Sequence, residues 1–170
     1  DSFHNYYSRV IKERNLERLA NETKFEFREL DILDLEDSGI DPNFDCIFHL
    51  AAQPGVRDSW GQGFDSYAMN NVLGTQKLFE FATRNKIKRV VFSSSSSIYG
   101  DAETFPTLES ANPLPRSPYG VSKLTGEYLG AAYSRNFGLE VVALRYFTVY
   151  GPGQRPDMAI HRLINCAITG

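Results

Sequence analysis

Tyr119 and Lys123 stand four residues apart in Tyr119-Gly120-Val121-Ser122-Lys123. That spacing puts both side chains on one face of a helix, one turn from each other. A phenol titrates near pH ~10, so it is a base at neutral pH only if something stabilises its phenolate. A neighbouring ammonium does this, and a cationic ring bound beside it adds to the effect. Lowering the phenol by roughly three units takes about 4 kcal/mol, within reach of two close positive charges. The same pair also recurs by chance on many helices, as an exposed couple with no chemistry. Its neighbours decide between the two readings.

The elements that must position such a pair are legible in outline. Helical spacing of Val10, Ile11, Leu16 and Leu19 predicts a helix over 10–20. Alternation over 24–30 predicts a strand running into Asp31-Ile32-Leu33-Asp34. Asp41-Pro42-Asn43 reads as a turn. The apolar run 46–52 is a strand buried on both faces, and 89–92 is a second buried strand that ends in the serines Ser93 to Ser97. Between them, 64–85 reads as a long helix with Val72, Leu73, Leu78, Phe79 and Phe81 inward. The proline-bearing stretch 101–117 has no clear period and reads as a loop over the site. Residues 119–137 are helical, 140–147 a strand and 159–167 a helix. Strands alternating with helices of this length predict an α/β fold, a doubly wound parallel sheet with helices on both faces. In such sheets ligands bind at the carboxyl ends of the strands. Four stretches converge there: 50–53, Ser93 to Ser97, 147–152 and the Asp31-Ile32 corner.

Composition narrows the class. With 21 acidic against 18 basic residues and no basic patch, nothing points to nucleic acid. No run approaches the roughly 20 apolar residues of a membrane span, and the first residues lack the pattern of a signal peptide. Cys46 and Cys166 make neither a disulfide framework nor a metal site and read as core thiols, which fits a reducing cytoplasm. The chain opens on Asp1 with no strand before it and stops at Ile168-Thr169-Gly170, and so reads as a piece of a longer protein.

Five blocks together carry a resemblance: 49–52 (His-Leu-Ala-Ala), 70–75 (Asn-Asn-Val-Leu-Gly-Thr), 93–100 (Ser-Ser-Ser-Ser-Ser-Ile-Tyr-Gly), 117–123 (Ser-Pro-Tyr-Gly-Val-Ser-Lys) and 144–152 (Leu-Arg-Tyr-Phe-Thr-Val-Tyr-Gly-Pro). The chain resembles the middle of an extended short-chain dehydrogenase/reductase of the NAD-dependent sugar-nucleotide epimerase/dehydratase family. The resemblance implies a Rossmann-like, NAD-binding domain over 1–150 and the start of a substrate-binding region over 151–170. It implies Tyr119 as the catalytic base, Lys123 as the residue that lowers its pKa and holds the nicotinamide ribose, and Ser95 as the hydroxyl on the reacting sugar oxygen. On the cofactor side it implies Asp1 at the adenosine ribose, where a carboxylate repels a 2′-phosphate and favours NAD over NADP. Asp31 and Ile32 fall at the adenine, Leu50, Ala51, Ala52 and Gln53 along the pyrophosphate and ribose path, and Ser93, Asn71 and Phe147 near the cofactor or sugar. The family's glycine-rich loop and its carboxyl-terminal substrate domain are absent from these residues, so the chain alone is expected to bind NAD poorly.

The residues beside the hydroxyl choose among the family's reactions. Dehydratases of the family carry an Asp-Glu pair there, and uronate decarboxylases a Glu, whereas this chain has Ser96 and Ser97. No carboxyl group is present for elimination, which favours oxidation and re-reduction at C4, that is, epimerisation. The segments 53–60 and 151–158, with Thr148, resemble UDP-glucuronate 4-epimerases. Oxidising C4 of a glucuronate makes a β-keto acid, and an arginine fork with a hydroxyl can hold its carboxylate. Arg155 and Thr148 are assigned that task, and Arg57 the substrate mouth; Arg155 paired with a phosphate or a loop acid stays open. His49 reads as a hydrogen-bonded structural histidine. Two alternatives stand: a UDP-glucose or UDP-N-acetylhexosamine 4-epimerase, and a non-catalytic NAD-sensing protein. The helix 128–137 resembles the family's dimer-forming helix, so a homodimer is expected. No metal is called for.

Overall fold

The computed structural model describes residues 1–102 and 104–170, which divide into two compact units. The larger spans 31–147, and the smaller joins 1–30 to 148–170.

The larger unit is built on a parallel sheet of β1 (Cys46–His49), β2 (Arg89–Ser95) and β3 (Glu140–Tyr146), in that order. The register pairs Ile47 with Val90 and Val141, and His49 with Phe92 and Ala143. These residues share one face, which the helices cover. Between β1 and β2 run α2 (Phe64–Tyr67), a π-helical segment (Ala68–Leu73) and α3 (Gly74–Arg84). Between β2 and β3 runs α4 (Pro118–Phe137). Leu78, Phe79, Ala82, Ile87, Val90, Tyr133 and Leu139 form the core beneath them. Each large apolar side chain buried there contributes about 1.5–3 kcal/mol.

Local chemistry explains the borders of α4. Ser117 caps its start, accepting from the Gly120 N–H at 3.0 Å, with Pro118 in the first turn. Gly138 ends it at φ 73°, a left-handed conformation that favours glycine. Along the way Gly126 and Gly130 let the helix settle onto the sheet; a Cβ at Gly130 would stand 2.7 Å from Val141 Cγ1.

Several expectations need correction. The strand at 46–52 is shorter and is not buried on both faces: Phe48 is 69% exposed and Leu50 68%. The face they share with Val142, Leu144 and Tyr146 has no helix over it in this unit, so burial alternates. Leu73 is exposed rather than inward, because the π turn inserts a residue and rotates Asn71, Gly74 and Thr75 to the buried side instead. The turn at Asp41 is present, with Asp41 Oδ1 accepting from the Asn43 N–H.

The smaller unit holds α1 (Arg9–Glu17) and α5 (Ala159–Thr169), and its stretch 24–30 is not a strand. Its alternation is real, but its backbone partners are few: Leu30 N–H donates to Asp1 O, and the Asp1 amine to Arg28 O. A ladder needs more. Phe3 packs on Phe27 at 5.2 Å, and Arg9 forks onto Glu29 with two bonds of 2.8 Å. Cys166 is exposed, not a core thiol, because the apolar side of α5 (Leu163, Ile164, Ile168) is itself exposed; Cys46 is half-buried.

Candidate active site

The first turn of α4 meets the end of β2. A Cβ on Gly120 would stand 2.6 Å from the Ser97 carbonyl oxygen, so only glycine lets the residue beside Tyr119 approach the serine turn this closely. Ser95 ends β2 and caps the turn Ser96–Ile98, its hydroxyl accepting from the Ser97 N–H at 3.1 Å. One turn along α4 from Tyr119, Lys123 is almost wholly buried, 4% exposed. Its ammonium donates to Ser93 O at 2.8 Å and lies 6.0 Å from the centre of the Tyr119 ring. Burial pulls the Lys123 pKa down to about 8. Tyr119, Lys123, Ser93, Ser95 and Ser97 therefore gather at one place.

A second buried layer holds this cluster. Asn71, which the π turn aims inward, accepts from the Gln53 N–H at 2.7 Å and donates to Gln53 O at 3.1 Å. The same amide donates to Ser122 Oγ at 3.0 Å, and Ser122 donates to Tyr119 O at 2.7 Å. One side chain thus ties the loop after β1 to the helix of the tyrosine. Tyr67 donates to Pro54 O at 2.8 Å and sets its ring edge-on to Tyr119, centroids 6.1 Å apart. Beneath, His49 Nε2 meets Thr75 Oγ1 at 2.9 Å, the hydrogen-bonded histidine expected. Burial first, and the Lys123 charge second, push its pKa down to about 3, so it is neutral.

The remaining expected residues are less enclosed. Leu50 and Ala51 are exposed at the carboxyl end of β1, with Ala52 half-buried and Gln53 buried. Ser96 and Phe147 line a cleft of about 390 Å³ with Tyr99, Gly100 and Phe105. Asp31 caps its own turn, accepting from the Leu33 N–H at 2.9 Å, and Ile32 packs against Gly74. Arg57 is exposed.

Asp1, Thr148 and Arg155 belong to the smaller unit. The Asp1 carboxylate accepts from the Phe3 N–H at 2.6 Å and lies 3.9 Å from Lys12 Nζ. Thr148 is exposed. Arg155 Nε stands 2.9 Å from Asp157 Oδ1, an ion-pair distance, but is not aligned for a hydrogen bond. Its guanidinium also lies 5.3 Å over the Tyr6 ring.

Sequence reasoning missed Ser122, Tyr99, Glu127 and Arg145. Ser122 lies inside the tyrosine–lysine segment itself. Glu127 and Arg145 carried a signal: a carboxylate one turn past Lys123, and a charge on the inward parity of an apolar strand. Among the described residues, no cluster of His, Cys, Asp and Glu could hold a metal ion, and no helix is long and apolar enough to cross a membrane.

The chain resembles known proteins. Residues 4–170 match the NAD dependent epimerase/dehydratase family. A Bacillus subtilis protein described as an uncharacterized UDP-glucose epimerase, YtcB, is 47% identical over 91% of this chain and 48% of its own length. The crystal structure of a mutant UDP-glucuronic acid 4-epimerase from Bacillus cereus, in complex with UDP-4-deoxy-4-fluoro-glucuronic acid and NAD, is 43% identical. It superimposes with a TM-score of 0.92 over 99% of this chain and 53% of that one. A UDP-N-acetylglucosamine 4-epimerase from Methanobrevibacter ruminantium, in complex with UDP-N-acetylmuramic acid, gives 34% identity and 0.81 over 91% of this chain and 48% of that one. The chain spans about half the length of the curated relatives it matches.

Proposed function

Because the chain belongs to the NAD dependent epimerase/dehydratase family, we propose that its protein inverts C4 of a UDP-sugar, UDP-glucuronate to UDP-galacturonate. The observation that carries this reading is the Tyr119–Lys123–Ser95 cluster, packed around Gly120 with no carboxyl group at positions 96 and 97.

The residues fit NAD. Among the described residues the Lys123 ammonium donates once, to Ser93 O, which leaves two protons for a ribose diol. Ala51, small and exposed at the end of β1, leaves room for a dinucleotide to pass; Leu50, Ala52 and Gln53 continue that path, and Asn71 holds the Gln53 backbone in place. Asp31, Ile32 and Asp1 are assigned to its adenosine half. Bound NAD supplies the acceptor, and then the donor, of a hydride at the sugar C4.

The chain's own residues move the proton. Tyr119, as phenolate beside the Lys123 charge, takes the proton of the C4 hydroxyl while that carbon gives up its hydride. Ser95 orients the oxygen throughout. When the hydride returns to the opposite face of the 4-keto sugar, Tyr119 gives the proton back, and no net oxidant is consumed. Ser96, Ser97, Phe147 and Arg57 border the sugar, and Thr148 and Arg155 take the uronate carboxylate. The unaligned Arg155 Nε–H supports that last role, since a carboxylate can complete it.

A neutral or N-acetylated UDP-sugar is the competing substrate, favoured by the relatives named for those sugars. The intact tyrosine and lysine count against a protein that only senses NAD. A homodimer through α4 is proposed on the exposure of Tyr128 and Phe137. The test takes the protein at its natural length, with NAD, on UDP-glucuronate and UDP-glucose in parallel, and separates products by chromatography. UDP-galacturonate without a UDP-pentose is expected. UDP-galactose alone moves the assignment to a neutral sugar, and no product from any UDP-sugar ends it.

A further inference from the structure

Arg145 is a charge on the helix-covered face of β3, the face of Val141 and Ala143. Its Nε and one terminal nitrogen fork onto Glu127 at 3.0 and 2.8 Å. The other terminal nitrogen donates to Tyr99 OH at 2.9 Å and to Glu109 O at 2.8 Å. Glu127 accepts in addition from Ser94 Oγ at 2.5 Å. The pair is largely enclosed, its side chains 23% and 12% exposed. None of these groups handles the substrate's proton, yet three of them adjoin residues assigned to the site. Ser94 precedes Ser95, Tyr99 closes the turn of Ser96 and Ser97, and Glu127 lies one turn past Lys123. Glu109 belongs to the loop over the cleft.

Stability alone does not call for this arrangement, because a buried ion pair is no more stabilising than a well-packed apolar pair of the same volume. What it offers is direction. A planar fork grips a carboxylate with two parallel bonds while its other nitrogen reaches a phenol and a carbonyl in fixed directions, a geometry that the compact, rotatable ammonium of a lysine does not supply. The loop carrying Glu109 and the turn carrying Tyr99 also meet at Gly100, where a Cβ would strike Leu114 O. Both segments contribute to the cleft lined by Ser96, Tyr99, Phe105 and Phe147.

Resting on the epimerase reading, we propose that Arg145 is a positioning residue: anchored on Glu127, it sets the Ser95–Ser97 turn and the loop around Glu109 against the helix of Tyr119.

The test compares wild type, Arg145→Lys and Tyr99→Phe in the natural-length protein. It reads kcat, KM, Tm and hydrogen exchange of the amides at 96–99 and 104–116. Arg145→Lys is expected to lower kcat roughly 10- to 100-fold with KM within about threefold, as misplacement of a reacting group does. Exchange should quicken at 96–99 and 104–116 but not in α3. Tyr99→Phe, which keeps the fork on Glu127, should show a smaller change of the same pattern. Unchanged kcat and exchange in both variants would overturn the proposal. So would exchange that rises equally in α3, with kcat falling only as the folded fraction falls. A wild type that turns over no UDP-sugar sinks the epimerase reading instead, and the exchange pattern still decides the clamp.

Discussion

Several candidate site residues of the two units find their hydrogen-bond or ion-pair partners at different distances along the chain. In the larger, Lys123, Asn71 and His49 are buried, and their partners lie far away in the chain: Ser93, Gln53, Ser122 and Thr75. In the smaller, Asp1 bonds the backbone of Phe3, and Arg155 pairs with Asp157 two residues on. Long-range partners fix a side chain against the whole unit, whereas a local pair can be exchanged for a ligand at little cost. On the proposed reading, the assigned reaction chemistry falls to long-range pairs, and the assigned carboxylate contact to a local, exchangeable one.

The largest break falls at the prebuilt chemistry. Tyr119→Phe should lower turnover by about 10²–10⁴, the usual share of a general base, with the substrate still bound. Lys123→Met should also remove turnover, yet stabilise the protein measured without added NAD. The native Lys123 releases its proton near pH 8, the unfolded one near 10.5. The unfolded state therefore binds more protons in that window, stability climbs with pH through it, and below it the burial penalty is present in full. Removing the charge should gain about 1–2 kcal/mol at pH 7 after the bond to Ser93 O is lost. Urea unfolding across pH 7–10.5 checks both the gain and the loss of slope.

Next in size is His49, whose proton affinity is depressed in the same sense. Its native pKa is about 3 against an ordinary 6.5, so stability should fall as pH drops below 6.5. By pH 4 the loss should reach roughly 3 kcal/mol. In His49→Gln the slope between pH 6.5 and 4 should flatten; an unchanged slope would place the acid sensitivity elsewhere.

Gly120→Ala sharpens the comparison further, because its Cβ would meet backbone at Ser97 rather than a yielding side chain. A cost of about 1–3 kcal/mol and a lower kcat are expected, read by Tm and turnover. The smallest effect belongs to the smaller unit. Asp157→Asn releases Arg155 and should lower KM for UDP-glucuronate about two- to fivefold while leaving neutral UDP-sugars unchanged, the scale of one exposed ion pair.

The same contrast explains what the sequence revealed. The Tyr119–Lys123 face and the borders of α4 follow from local period and caps and stand within a residue of expectation, while β2 starts where expected and runs on three residues past 92, to Ser95. The supposed strand at 24–30 has the right alternation but lacks a neighbouring ladder, which no local pattern reports. Leu73 turned outward because one π turn shifts every later residue around the helix. The Asn71 clamp and the Arg145–Glu127 fork join positions more than a dozen residues apart, so they become visible only when the elements are packed.

The most direct measurement follows the hydrogen at C4. UDP-glucuronate carrying deuterium at C4 is given to the natural-length protein with NAD, and the product is read by NMR. Oxidation and re-reduction at C4 around Tyr119 require the product to have inverted C4 and to keep its deuterium there. Deuterium lost from C4 to water, or inversion with solvent hydrogen entering at C5, would contradict that chemistry.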